Sequence, residues 1–104
     1  PVPLVGMGRG LLANNQAAEA IPWLQQAVAE PQASAEAHEL LGLAYQKTER
    51  PIDAVKELQA AIQIDSVNAR LHLMLARAYR AAGDADKAAH EQAEYSRLKE
   101  SSAP

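Results

Sequence analysis

The chain repeats itself at a spacing of 34 residues, and this recurrence restricts its possible folds more than any other feature. A shift of 34 brings His38 onto His72, Leu41 onto Leu75, Ala44 onto Ala78, Tyr45 onto Tyr79, Ala54 onto Ala88 and Glu57 onto Glu91. Upstream it brings Gly8 onto Gly42, Ala20 onto Ala54, Leu24 onto Leu58, Gln25 onto Gln59 and Ala27 onto Ala61, with Met7, Ile21 and Val28 opposite Leu41, Val55 and Ile62. These coincidences fall at apolar and small positions, where a helical hairpin needs them, because small side chains let two antiparallel helices cross closely. Gly8, Gly42 and Ala76 are expected on one side of that crossing and Ala20, Ala54 and Ala88 on the other. Tyr45 and Tyr79 are expected to fill the wider space beside it, each hydroxyl reaching a polar edge.

Composition agrees with helix: alanine is abundant, Phe is absent, and Val, Ile and Thr are sparse. A chain of 104 residues makes one domain. It buries roughly two-thirds of its unfolded surface, so its helices must share a continuous apolar seam. Helices are expected over about 3–14, 17–29, 35–48, 51–64, 69–82 and 85–99. Ser34 and Asn68 are placed to cap two of them, Pro51 suits a first helical position, and Gly83-Asp84 reads as a helix stop followed by a cap. Gly6, Gly8 and Gly10 predict a frayed first helix, at about 1 kcal/mol per Gly relative to Ala. Pro22 lies beyond the first turn of the second helix and predicts a kink.

Leu41-Gly42-x-x-Tyr45 and Leu75-Ala76-x-x-Tyr79, each followed by spaced alanines, make the chain similar to the tetratricopeptide repeat family. The resemblance implies an all-α, right-handed α-solenoid of three helix-turn-helix repeats, about six antiparallel helices in a single domain spanning 1–104. The repeats would run over about 1–34, 35–68 and 69–100, with 101–104 as a tail. The third departs from the pattern at Gln92 and Tyr95, where a bulky apolar and a small residue are typical, and so reads as a terminal repeat. Its polar last helix suits the end of a stack in water. The uncapped start predicts that further repeats or another domain precede it in a larger bacterial-type protein.

The net charge of −3 argues against nucleic acid, which needs a concentrated cationic footprint. No apolar run approaches the roughly 20 residues of a membrane span, no signal peptide is evident, and there is no Cys. The compartment stays open between cytoplasm and periplasm. No phosphate loop, zinc-protease motif or nucleophile elbow is present, so no catalytic residue, metal ligand or cofactor is assigned. His38 and His72 occupy equivalent packing positions rather than a metal pair, and His90 stands alone. Trp23 is expected to be partly buried against the next repeat, with an exposed anchor as the lesser alternative.

The first helix of each repeat carries more apolar residues than one packing stripe requires, and the family resemblance implies that its spare face lines a concave peptide groove. Arg9, Leu40, Leu43, Lys47, Arg70, Leu73, Met74, Arg77 and Arg80 are its candidate residues. Such a groove, apolar in the middle and basic towards the third repeat, suits a protein or peptide with apolar side chains and an acidic group or free carboxylate. The alternative is that Leu40, Leu43, Leu73 and Met74 pack between helices while the arginines are merely solvated. The family's carboxylate clamp is matched only near Arg9 and Arg70, since Val5, Leu40 and Met74 occupy other clamp positions. A protein-interaction or scaffolding module, not an enzyme, is expected. The alternatives are a spacer or self-associating homo-oligomer, and a non-catalytic accessory region of a larger enzyme.

Overall fold

The computed structural model of the chain describes residues 2–102. Among them are six α-helices and no strand: α1 (Leu4–Ala13), α2 (Ala17–Val28), α3 (Ala35–Lys47), α4 (Pro51–Ile64), α5 (Ala69–Ala81) and α6 (Ala85–Ser101). They pair as hairpins α1–α2, α3–α4 and α5–α6, and the hairpins stack through α2 on α3 and α4 on α5. Helix α3 touches both α1 and α5, whereas α2, α4 and α6 do not touch one another. The first helices are therefore drawn together on the inner, concave side, and the second helices splay on the outside.

Each of the first two hairpins crosses at a glycine under a leucine. A Cβ built on Gly42 would lie 2.8 Å from Leu58 Cγ, and one on Gly8 would intrude equally on the Leu24 side chain. Leu24 and Leu58 are fully buried, as are Ala20 and Ala54. The small residues expected opposite the glycines thus line the crossing, but the leucine one turn further along the second helix makes the tightest approach. In the third hairpin the corresponding residues are Ala76 and Gln92.

The turns repeat as regularly as the helices. Asn15, Glu49 and Gly83 all have positive φ (64°, 60° and 87°), and they stand 34 residues apart. After each, an amide reaches back to close the helix end: Gln16 to the Leu11 carbonyl at 2.8 Å, Arg50 to Tyr45 at 2.8 Å, and Asp84 to Tyr79 at 2.9 Å. Helix starts are closed by side chains as expected at Ser34, which accepts from the Ala37 amide, and at Asn68, which accepts from Arg70. Asp84 accepts from Lys87 in the same way. The two tyrosine hydroxyls join successive repeats, each accepting from a glutamine of the preceding second helix, Gln25 to Tyr45 at 3.1 Å and Gln59 to Tyr79 at 2.8 Å.

Helix α1 is continuous from Leu4 to Ala13 with its glycines inside it, Gly8 and Leu12 being buried against the hairpin partner. Helix α2 includes Pro22, which is exposed. Helix α6 continues to Ser101, so the tail does not begin there; Ala103 and Pro104 lie outside the described residues, as does Pro1.

Neither histidine pair is a metal site; each ties the two helices of its own repeat. His38 Nδ1 is 2.9 Å from Glu57 Oε1, and His72 Nδ1 is 2.7 Å from Glu91 Oε1. His72 Nε2 also faces the Ser66 carbonyl at 3.0 Å, so both its ring nitrogens meet acceptors, an arrangement fully satisfied only by imidazolium. Burial opposes that charge, but the Ser66 carbonyl and the Glu91 carboxylate outweigh it and raise the His72 pKa above the ordinary imidazole value.

Replacing Gly42 with Ala should cost about 1–3 kcal/mol of unfolding free energy in urea titrations, because the crossing has no room for a methyl. Glu49→Gly should gain about 0.5–1 kcal/mol by relieving a left-handed non-glycine residue. The His72 contribution follows from a folded pKa raised above the unfolded one. It is present in full below about pH 6.5 and is lost as pH rises through the folded value. Circular-dichroism melts should accordingly show a lower melting temperature at pH 8 than at pH 6, and Glu91→Gln should shrink the difference.

Candidate protein-binding groove

The inner side of the solenoid is made by α1, α3 and α5, and its charges are arranged by helical spacing. Glu36 and Glu39 lie one turn apart on α3 and reach in opposite directions. Glu36 is gripped by Arg9 of α1 through two hydrogen bonds, at 3.2 Å from Nε and 2.9 Å from Nη2. Glu39 is gripped by Arg70 of α5 in the same forked manner, at 2.9 and 3.0 Å. Two bidentate pairs therefore bridge all three inner helices. Arg70 is exposed, and the Glu39 hydrogen bonds followed by its charge raise the guanidinium pKa further.

The nine candidate residues separate into four groups. Arg9 and Arg70 stand on the inner face but are already paired with glutamates. Met74 is buried, at 8% exposure, and Leu40 is half-buried against the core, so these two pack between helices as the alternative sequence reading has it. Leu43 is likewise half-buried against the core, and Leu73 is half-buried. Lys47, Arg77 and Arg80 are exposed. Arg80 donates to the Gln92 side-chain oxygen at 3.0 Å, while Lys47 and Arg77 have no hydrogen-bonded or ionic partner among the described residues. Two forked pairs thus neutralise Arg9 and Arg70 across α1, α3 and α5, whereas Lys47, Arg77 and Arg80, in the C-terminal halves of α3 and α5, have no carboxylate partner among the described residues.

Glu36 and Glu39 pair with arginines of the two neighbouring repeats. The partners lie 27 and 31 residues away, offsets that differ from the repeat period, so the 34-residue frame alone does not match them. Gln46, which sequence reasoning missed, joins α3 to α5 by donating to the Met74 carbonyl at 3.1 Å. Trp23 is half-buried, at the position that Glu57 and Glu91 occupy in the next repeats. Among the described residues no group of three or more His, Cys, Asp or Glu is placed to hold a metal ion, and no helix is long and apolar enough to cross a membrane.

Helical hairpins recurring every 34 residues, with a left-handed residue at the turn inside each, define a helical repeat solenoid, and its second hairpin is similar to the tetratricopeptide-repeat family. A tetratricopeptide-repeat family model matches residues 35–68, the second hairpin. Solved structures of MamA share the fold. A crystal structure of MamA superposes with a TM-score of 0.89 at 28% identity, over 92% of this chain and 56% of that one. A MamA 41-end structure from Desulfovibrio magneticus RS-1 does so with a TM-score of 0.87 at 30% identity, over 93% and 55% of the two chains. A double mutant of the RS-1 protein gives 0.85 at 31%, over 90% and 53%. The chain spans about half the length of these structures. No curated protein matches it.

Reversing Arg70 to Glu should lower the melting temperature by setting two carboxylates against each other, and the swapped double variant Glu39→Arg/Arg70→Glu should recover most of the loss. A double-mutant cycle by thermal unfolding checks this.

Proposed function

We propose that the chain is a non-catalytic protein-interaction module whose inner face, formed by α1, α3 and α5, holds a segment of a partner protein. The observation that carries this reading is the set of exposed cations, Lys47, Arg77 and Arg80, beside the half-buried Leu43 and Leu73, on a chain whose net charge is −3. The cavities support it as well. Three open notches of about 390, 460 and 370 Å³ are spread over the surface, none formed around a cluster of reactive side chains. Such relief suits an extended contact surface better than an enclosed small-molecule site.

The segment that fits carries apolar side chains followed by an acidic group or a free carboxylate. Its apolar part covers Leu43 and Leu73, and its acid is directed to the Arg77–Arg80 end, because Arg9 and Arg70 are held by Glu36 and Glu39. Guanidinium forks favour carboxylates, and desolvation next to the leucines strengthens that contact. The tetratricopeptide fold, shared with the MamA structures, supports a scaffold role.

Fluorescence anisotropy with a labelled peptide of alternating leucine and aspartate tests the reading. Affinity should fall about tenfold in Arg77→Ala and again in Arg80→Ala, and should weaken as salt is raised. It should rise in Glu39→Gln, which frees Arg70 for the peptide. Equal binding of a leucine–lysine peptide, or indifference to both arginine variants, would contradict it.

A further inference from the structure

The junction between the second and third repeats is held by a contact that the first junction lacks. His72, near the start of α5, is 8% exposed, and each of its ring nitrogens meets an acceptor. Nδ1 lies 2.7 Å from Glu91 Oε1 on α6, and Nε2 lies 3.0 Å from the carbonyl of Ser66 in the α4–α5 loop. In the second repeat His38 Nδ1 meets Glu57 in the same way, but its Nε2 has no hydrogen-bonded partner among the described residues. In the first repeat the same register places are taken by Leu4 and Trp23, which exchange no proton.

An imidazole bonds two acceptors only as imidazolium, because the neutral ring has a single N–H. On losing its proton the His72 ring keeps Nδ1–H on the carboxylate of Glu91, the shorter and charge-assisted bond, and turns a bare Nε2 lone pair on the Ser66 carbonyl. The two lone pairs repel, and Ser66 is exposed, so its carbonyl has water to turn to. His38 meets no such conflict, since Nδ1–H serves Glu57 in either protonation state. The charges around His72 act in one direction: Glu91 and Glu94 of α6 both favour the imidazolium. The remaining carboxylates nearby are engaged elsewhere, Glu94 also by Arg97, Asp65 of the loop by Asn68, Glu57 of α4 by His38 and Glu39 of α3 by Arg70.

The loop leads directly into the inner face. Asn68 caps α5 by accepting from the Arg70 amide at 3.1 Å, and its Nδ2 donates back to Asp65 at 3.3 Å. The placing of Ser66 thus steadies the cap, the cap fixes the first turn of α5, and that turn aims the Arg70 fork at Glu39. We infer that His72 is a proton-operated latch at this junction: as imidazolium it ties the α4–α5 loop to α5 and holds Arg70 on Glu39, and on deprotonation it releases the loop and frees Arg70. The release is local, apart from the change in overall stability. It regulates the inner face proposed above and rests on that reading for its use, since raising the pH adds a guanidinium for an acidic segment to meet.

The test is an NMR titration of the whole chain, labelled with nitrogen-15 and without peptide, from about pH 5.5 to about pH 8.5. The His72 ring nitrogens should show imidazolium giving way to the Nδ1–H tautomer. The Val67 amide nitrogen, which senses hydrogen bonding at the Ser66 carbonyl, and the Arg70 Nε–H should move with the same midpoint. Exchange of the Arg70 and Leu71 amides, both bonded to Asn68, should quicken about tenfold beyond its intrinsic rise with pH. The Ala37 amide, capped by Ser34 at the first junction, and the Trp23 emission should stay as they are. His72→Leu, which sets there the residue that α1 carries, should show the fast exchange at every pH. Should that variant unfold, seen as a red shift of Trp23 emission, the titration of the unsubstituted chain decides alone. A His72 ring that titrates while Val67 and Arg70 stay still would overturn the inference, as would a neutral ring that keeps Nε2–H. Because no peptide takes part, the outcome is separate from whether the inner face binds one.

Discussion

The close crossing of the first two hairpins, glycine beneath leucine, is the contact on which the rest of the structure depends. It brings α1 to α2 and α3 to α4 near enough for a buried alanine layer to form beside the leucines, with Ala20, Ala54 and Ala88 all at or below 1% exposure. A hairpin so tightly closed is short across, and its apolar surplus is left on the faces that meet the next repeat. Stacking then completes the core, which no single hairpin could enclose. The tyrosine–glutamine bonds and the histidine–glutamate pairs add direction to a contact that apolar burial alone would leave free to slide. The first set joins repeats, and the second joins helices within a repeat.

Much of this was legible in the sequence because burial and close approach leave their marks at a fixed period. The 34-residue recurrence located every helix to within about two residues, and Ser34, Asn68 and Pro51 marked three of the starts. Conformation without a compositional signature was not legible. Gly83 announces a left-handed residue, but Asn15 is a weaker signal and Glu49 none at all, although all three do the same work at the same place. Gly8 shows the same limit: intrinsic propensity counts its cost and is blind to the leucine that only glycine admits.

The candidate site was read less completely. The family resemblance proposed a groove face and its arginines, yet it could not distinguish a free guanidinium from one already held. Arg9 and Arg70, the residues nearest the family's carboxylate clamp, are the two that forked pairs with Glu36 and Glu39 neutralise. The cationic character passes instead to Lys47, Arg77 and Arg80. Which arginines are paired depends on side-chain reach across α1, α3 and α5 and has no counterpart in local sequence.

The central claim is that the inner faces of α3 and α5 are where a partner segment lies. Amide chemical-shift mapping of the whole chain with a saturating leucine–aspartate peptide tests it most directly. The account predicts shifts concentrated between residues 39 and 47 and between 70 and 80, with α2 and α6 largely still. Shifts lying on the outer helices, or none at saturation, would contradict it.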